Sequence, residues 1–582
     1  MASPPIAKGP QADVRVFPER LPTSGIFCPT SLKAWITAGI FLLVLGVYLL
    51  SGPGRIDIVD GEIRFDVALN WLVYRRPIVT DTWIGPAMSE PGREGLRYSY
   101  YGAPASAFSI PLIWLGLKTG PPPRIPSSQF FFSLTSAIIG AGVAPILFLF
   151  YLELGLTIRR ALAWSMVSSF ATYIWPISTS TFDNAQHAFF ALAAVYFGFV
   201  AARRKSLAFA LAGGAMAGTL ILYQTYFLLI VPALALSTLE WRTDAASSLP
   251  IVPEMLVGRL QSHFQRTYRT VLSFSRAAWE GPGDARSSCL RYGLFLTSVV
   301  AATLVSFFYN HARFGSWLET GQLRNAMQTK HPLWGNPLIG FLTLLISPGK
   351  SIFLYSPVLI LGGLGISRLW RRKPGLVTAI ATSSLLLVLF LSCMAFAGGD
   401  WCWGPRYLTP LLPLWALAFP FVPPMKRRRE LVLALVVLGF CVQGLALSVE
   451  NQRFFFSRGL DDFFWAEDPW CYFKDSALFA RPGEALSLFD GAPASAHVFN
   501  TIPIPQWTTY SILGTPPNVP RKLAPIWMRN FQIFFLPRPW PLWMLSLPPI
   551  LRPIYMWIWL TLFLGITALG AGLIYLKLPA RE

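Results

Sequence analysis

Apolar residues run without interruption over 34–50, and stretches of the same kind recur along the chain as far as 554–576. A helix that crosses a bilayer needs about 20 apolar residues, with roughly 17 to 25 tolerated. On that measure spans are predicted at 34–50, 129–155, 161–178, 187–202, 206–222 and 226–240. They continue at 292–309, 352–368, 375–396, 407–422, 431–449 and 554–576. The pattern predicts an all-α polytopic membrane protein, a bundle of about 12 helices.

Charge orients the bundle, because cytoplasmic ends of spans are rich in Lys and Arg. With Met1 inside, the clusters Arg159-Arg160, Arg203-Arg204-Lys205, Arg368 to Lys373 and Lys426 to Arg429 all fall on one side. The Arg-rich connection 241–291 joins them. Residues 103–118 are also apolar, but counting them as a span would move two of those clusters outside. They are therefore read as a juxtamembrane or re-entrant helix, and 337–348 likewise; such segments are tolerated where they line a cavity or pack on protein.

Four regions follow from this layout: a cytoplasmic tail at 1–33, a transmembrane module at 34–449 with its first outer loop at 51–128, an aromatic and Pro-rich outer region at 450–553, and a last span with a short tail at 554–582. The first apolar run has no small-residue cleavage site after it and reads as an uncleaved signal anchor.

Composition agrees. Only 13% of residues are charged, against about 25% in soluble domains. The net charge of +20 lies in short clusters between spans, so it reports topology and not nucleic-acid binding. Six Cys show no metal-binding spacing. A disulfide between Cys402 and Cys471, both placed outside, has no further support. The five His never fall three or four apart, and no His-Glu-x-x-His occurs, which argues against zinc.

Polar chemistry collects on the outer face. The first outer loop begins with Asp57, Asp60 and Glu62, within a dozen residues of the end of a span, where carboxylates are costly to desolvate and mark candidate chemistry. Its end reads Tyr98-Ser99-Tyr100-Tyr101-Gly102. Thr181-Phe182-Asp183-Asn184 and His187 form a second knot, Asn310 to Gly315 a third, and Gly399-Asp400-Trp401-Cys402-Trp403-Gly404-Pro405-Arg406-Tyr407 a fourth. Each has a plainer reading. The carboxylates of the first loop suit ion pairs with Arg55 and Arg64; Asp183 suits a helix cap; His187 suits packing; Arg406 and Lys350 suit interfacial anchors. Gly349-Lys350-Ser351 resembles the end of a phosphate loop, but Leu344 stands where the first Gly is required, and that motif is discarded.

The acidic Asp60-Gly61-Glu62, then Tyr100-Tyr101-Gly102-Ala103-Pro104, resemble the first outer loop of the GT-C superfamily of membrane glycosyltransferases. Tyr309 to Ser316, Ser347-Pro348-Gly349-Lys350 and Trp403-Gly404-Pro405-Arg406-Tyr407 extend the likeness over residues 30 to 450. Together they resemble the bacterial branch related to protein O-mannosyltransferases and lipid A aminoarabinose transferases. The region 450–582 carries no resemblance.

The resemblance implies a GT-C bundle with juxtamembrane helices in its first outer loop. It implies transfer of a sugar from a polyprenyl-phosphate carrier to an acceptor hydroxyl on a lipid, glycan or protein, with inversion. It implies an integral protein of the bacterial inner membrane, active on the periplasmic side. Asp60 best fits the family's general base, with Asp57 as competitor. Glu62, Tyr100, Tyr101, Asp183, Arg313, Lys350, Asp400 and Arg406 are assigned to substrate binding, the cations against the lipid phosphate. Some members use a divalent metal with a second acidic residue; Asp183 is the position for it here, and metal use stays open. The rivals are a transporter or flippase, which calls for polar residues at mid-span and inverted repeats, and a polymerase, which calls for a large outer loop rich in Arg and His. A non-catalytic scaffold is a third.

Overall fold

The computed structural model describes residues 30–54, 56–80, 88–120, 124–239, 284–329, 333–399, 401–448, 454, 468, 470–486 and 551–578. The N-terminal tail to residue 29, the connection 240–283, Arg55, Asp400 and most of 450–553 lie outside the described residues.

Helices dominate the described residues, and their one sheet is a short two-stranded hairpin. The helices that frame the site are α1 (Thr30–Ser51), α2 (Val59–Tyr74), α3 (Pro104–Thr119), α4 (Ile158–Phe170), α5 (Asn184–Arg204), α6 (Leu207–Tyr223), α7 (Asp284–Phe314), α8 (Leu359–Arg372), α9 (Pro374–Cys393), α10 (Arg428–Ser448) and α11 (Leu551–Lys577). Seven helical runs among the described residues are long and apolar enough to cross a membrane, lying within α1, Ser127–Glu153, α5, α7, α9, α10 and α11. Large apolar side chains on the outside of α7, α10 and α11, such as Phe308, Leu433 and Trp557, stay exposed, as a hydrocarbon solvent permits. The chain is an integral membrane protein.

The other five predicted spans are helical but short or interrupted. Residues 161–178 break between α4 and Ile174–Thr179; 226–240 divide into Thr225–Leu229, Val231–Ala235 and Leu236–Thr238. Residues 352–368 divide at Ser356-Pro357, and 407–422 into three short helical pieces, Arg406–Leu408, Leu411–Ala416 and Phe419–Phe421. Proline removes an N–H and clashes with the preceding turn, and Pro176, Pro232, Pro357, Pro413 and Pro420 stand in or beside these segments. Broken helix at membrane depth must be covered by protein; Leu411, Leu412, Leu414 and Phe419 are accordingly buried. The remaining predicted span, 206–222, is α6, intact but only 17 residues long.

α1 and α11, the two ends of the described chain, pack together. A Cβ at Gly570 would lie 2.3 Å from the Leu43 nitrogen, so glycine is what permits this approach. Residues 103–118 form α3, which packs on α2, and 337–348 contain the helix Pro337–Leu345. A hairpin pairs Ser89–Pro91 with Arg97–Ser99, antiparallel, with Glu90 opposite Tyr98.

Candidate active site

The first outer loop does not stay a loop: residues 59–74 form α2, and its first turn presents Asp60 and Glu62, both buried. Arg64 follows Asp60 by four residues, one helical turn, and so shares its face. α2 is fastened just before it begins. Asp57 accepts hydrogen bonds from the Ser180 hydroxyl (2.7 Å), the Thr181 N–H (2.8 Å) and the Thr181 hydroxyl (2.5 Å). Gly61 completes the joint, since a Cβ there would fall 2.4 Å from the Thr181 hydroxyl oxygen. Asp57 is thereby committed to the turn that carries Phe182 and Asp183.

That turn delivers Asp183 to the start of α5. It stands at the cap position, yet its carboxylate makes no capping bond. It reaches across to Arg64 Nη2 at 2.9 Å, with His187 Nε2 at 3.6 Å. Arg64 Nη1 lies 3.8 Å from Asp60, and Tyr101 places its ring 4.3 Å from the same guanidinium. From the far side Arg406 Nη1 approaches the Asp60 carboxylate at 3.1 Å. Arg406 rests on Phe182 at 4.2 Å and donates from Nη2 to the Tyr407 hydroxyl at 3.2 Å. The result is a chain of alternating charge: Asp183, Arg64, Asp60, Arg406.

Its electrostatics follow from burial against pairing. Burial alone would raise the pKa of Asp183, but Arg64, then His187 and Arg406, outweigh it and hold the carboxyl below its ordinary value. Burial likewise opposes the charge on Arg64, and Asp183 with Asp60 reverse that, so its pKa is raised. Arg406 is held well above the usual value against burial, chiefly by Tyr407 and Asp60. Two carboxylates and two guanidiniums alternate, so the formal charges of the set sum to zero. The arginines are not saturated: Nε and Nη1 of Arg64 and Nε of Arg406 are buried with no hydrogen-bond partner.

The other predicted cations do different work. Lys350 is buried, and its Nζ donates to the carbonyls of Cys402 (2.9 Å) and Gly404 (3.3 Å). Those carbonyls stand four and two residues before Arg406, so Lys350 braces the loop that aims Arg406. Arg313 donates to the carbonyls of Ser99 and, at 3.2 Å, Tyr101, while Asn310 accepts from it at 2.8 Å. It fixes the backbone that carries Tyr101. Tyr100 packs on Tyr101, ring centroids 4.8 Å apart. Glu62 accepts from Gln129 at 3.3 Å behind the first turn. Cys402 and Cys471 are both free thiols.

Among the described residues no three His, Cys, Asp or Glu side chains converge on a metal position. The place a divalent cation would take between Asp60 and Asp183 is filled by the Arg64 guanidinium, which contacts both. These residues do not fit a metal in this arrangement.

Two site residues were not predicted. Arg64 appeared only as a partner for the loop carboxylates; its four-residue spacing from Asp60 becomes informative once 59–74 is seen as helix. Tyr226 stacks on Phe390 at 5.4 Å, and its hydroxyl is buried without a hydrogen-bond partner, within electrostatic reach of Tyr407, Asp183 and Arg406. No motif in the sequence marks it.

No family model and no curated protein matches the chain. Among solved structures it is similar to ArnT from Cupriavidus metallidurans bound to undecaprenyl phosphate, at 13% identity and a TM-score of 0.39, over 94% of this chain and 77% of that one. It is similar also to the apo Archaeoglobus fulgidus oligosaccharyltransferase, at 13% identity and a TM-score of 0.39, over 76% of this chain and 59% of that one. Likenesses this distant carry no weight for the chemistry, which rests on the residues above.

Proposed function

We propose that the chain is a glycosyltransferase that moves a sugar from a polyprenyl-phosphate carrier to an acceptor hydroxyl on the extracytoplasmic face. The observation that carries this reading is Asp60, held between Arg406 at 3.1 Å and Arg64 at 3.8 Å, both of which keep unused N–H donors. A proton acceptor thus lies beside guanidiniums that match phosphate oxygens.

The donor phosphate engages Arg406, which cannot give the same N–H to Asp60, and the Asp60 carboxylate is released toward the acceptor. The acceptor oxygen attacks the anomeric carbon and its proton passes to Asp60. The bond from that carbon to the phosphate oxygen breaks, and its electron pair stays on the phosphate beside Arg406. Attack opposite the leaving group inverts the centre. The polyprenyl tail remains in the bilayer, which is the physical reason for a site at a membrane rim.

The test is Asp60→Asn in purified protein with a polyprenyl-phosphate sugar donor. A positioned base contributes about 10²–10⁴-fold, so transfer should fall by that factor. Binding of sugar-free polyprenyl phosphate should persist in Asp60→Asn and weaken in Arg406→Gln. Full turnover by Asp60→Asn would sink the assignment.

A further inference from the structure

At the end of the bundle that carries the basic span ends, a cavity of about 340 Å³ is lined by five arginines: Arg160, Arg368, Arg371, Arg372 and Arg428. They come from three elements distant in sequence, α4, α8 and the start of α10. Pro420 and Phe421 supply apolar wall, and no carboxylate is among the lining residues.

Two of the five are tied down. Arg368 donates to the Val422 carbonyl at 3.5 Å, and Arg372 lies 5.4 Å from the Phe421 ring. For the side chains of Arg160, Arg371 and Arg428 no hydrogen bond or ion pair forms among the described residues. Glu153, two residues before the cavity wall at Gly155, is occupied by Arg203 and, at 3.2 Å, Arg204.

Orientation of the bundle requires basic residues in the loops of one face, and scattered residues satisfy it. It does not require five of them to converge on one cavity, where like charges repel. Two of them also sit where a helix opposes them. Arg160 is in the first turn of α4 and Arg428 opens α10, at the positive ends of those dipoles. α4 has no acidic residue in its first turn, and Thr157 makes no side-chain cap. An anion in the cavity would relieve the repulsion and the uncompensated start of α4 at once; the start of α10 already carries Glu430 in its first turn. The volume falls within the roughly 300–1,000 Å³ of small-molecule sites.

We propose that this cavity binds a phosphate-bearing anion, with the guanidiniums as bidentate donors and the Pro420–Phe421 wall against its apolar part. Two sources share that chemistry: the headgroup of an anionic phospholipid in the adjoining leaflet, or a soluble phosphate compound. The lining shares no residue with the Asp60 site, so the proposal does not depend on the proposed transfer reaction.

The experiment uses the full chain in nanodiscs of phosphatidylcholine with and without phosphatidylglycerol, and in detergent with and without inorganic pyrophosphate. Lipid retention is read by native mass spectrometry and stability by thermal unfolding. Retention and stabilisation by phosphatidylglycerol assign the lipid, whereas the same response to pyrophosphate alone assigns a soluble compound. In either arm Arg160→Gln and Arg428→Gln should each weaken binding about fivefold, the equivalent of about 1 kcal/mol per basic residue. Arg286→Gln, an exposed arginine of the same face outside the cavity, should leave binding unchanged. Arg160→Lys and Arg428→Lys keep the charge and report binding should a glutamine variant fail to fold. Equal binding in wild type and cavity variants, an equal loss in Arg286→Gln, or no response to either anion overturns the proposal.

Discussion

Removing the charge of Asp183 tests whether the alternating chain is one coupled unit. The Asp183–Arg64 pair is 2.9 Å long, with side chains only 7% and 3% exposed. Breaking such a buried pair from one side costs about 3–5 kcal/mol, because the surviving ion stays desolvated. Asp183→Asn should cost less than that range. The amide oxygen still accepts a hydrogen bond, and Arg64 has a second carboxylate, Asp60, at 3.8 Å. A loss of about 2–3 kcal/mol is expected, near the value of one hydrogen bond to a charged group. Arg64→Met removes the guanidinium from between two carboxylates and should cost the full ~3–5 kcal/mol. In the double variant neither ion is stranded, so the two losses should fall short of additive by about 2 kcal/mol. The cycle is read by unfolding in mixed micelles, with tryptophan fluorescence as signal. Additivity within about 0.5 kcal/mol would show that Arg64 and Asp183 merely sit near each other, and the coupled chain would fail as a description.

The same pair sets an acid limit. Asp183 is depressed in the folded state, so its stabilisation is complete above the unfolded carboxyl value of about 3.9 and is lost as pH falls through the lower folded value. The stability gap between wild type and Asp183→Asn should therefore stay flat from neutrality to about pH 5 and close below about pH 4; a gap that closes near pH 6 would contradict it. Lys350→Met strands the Cys402 carbonyl, while the Gly404 carbonyl keeps the Cys402 thiol at 3.2 Å, and should cost about 1–3 kcal/mol. Because Lys350 positions Arg406, donor affinity should fall with it, and unaltered affinity would confine Lys350 to a stability role. Gly61→Ala forces a methyl to 2.4 Å from the Thr181 hydroxyl oxygen, and overpacking of this kind typically costs about 1–3 kcal/mol. Wild-type stability and turnover in that variant would refute the close joint between α2 and the 180–183 turn.

What the sequence made legible is what depends on local pattern. Apolar runs of about 20 residues marked the helices that appear long and continuous, and basic span ends marked one face. Prolines inside 161–178, 226–240, 352–368 and 407–422 were equally visible. A hydropathy window averages over them, whereas the backbone does not. α2 was read as part of the outer loop 51–128, and Asp60, Glu62, Arg64 and Asp66 do crowd its first two turns. Its helical character shows in spacing instead, with Asp60 facing Arg64 and Asp66 accepting from Asn70 at 3.1 Å, each four residues apart. The site joins Asp60 to Arg406 across 346 residues, and no local pattern carries that pairing. Residue order along the outer face brought Asp60, Asp183, Tyr101 and Arg406 into one list. It could not separate them from Lys350 and Arg313, whose side chains hold backbone carbonyls.

That separation bears on how an anionic substrate would be received. Two acids and two arginines whose formal charges cancel can be buried together at a membrane rim, whereas a lone buried ion faces a desolvation cost of several kcal/mol. A phosphate adds negative charge to this neutral set, so one cation must be shared with it. Arg64 is poorly suited: it lies between two carboxylates under the Tyr101 ring and is 3% exposed. Arg406 has one carboxylate partner, is 12% exposed, and is aimed by a loop that Lys350 holds from beneath. On the proposed reading, then, Arg64 is the fixed member that keeps Asp60 in place, and Arg406 is the member that exchanges. The carboxylate is freed only when a phosphate takes its partner, so the base becomes available in the presence of the donor and stays neutralised without it.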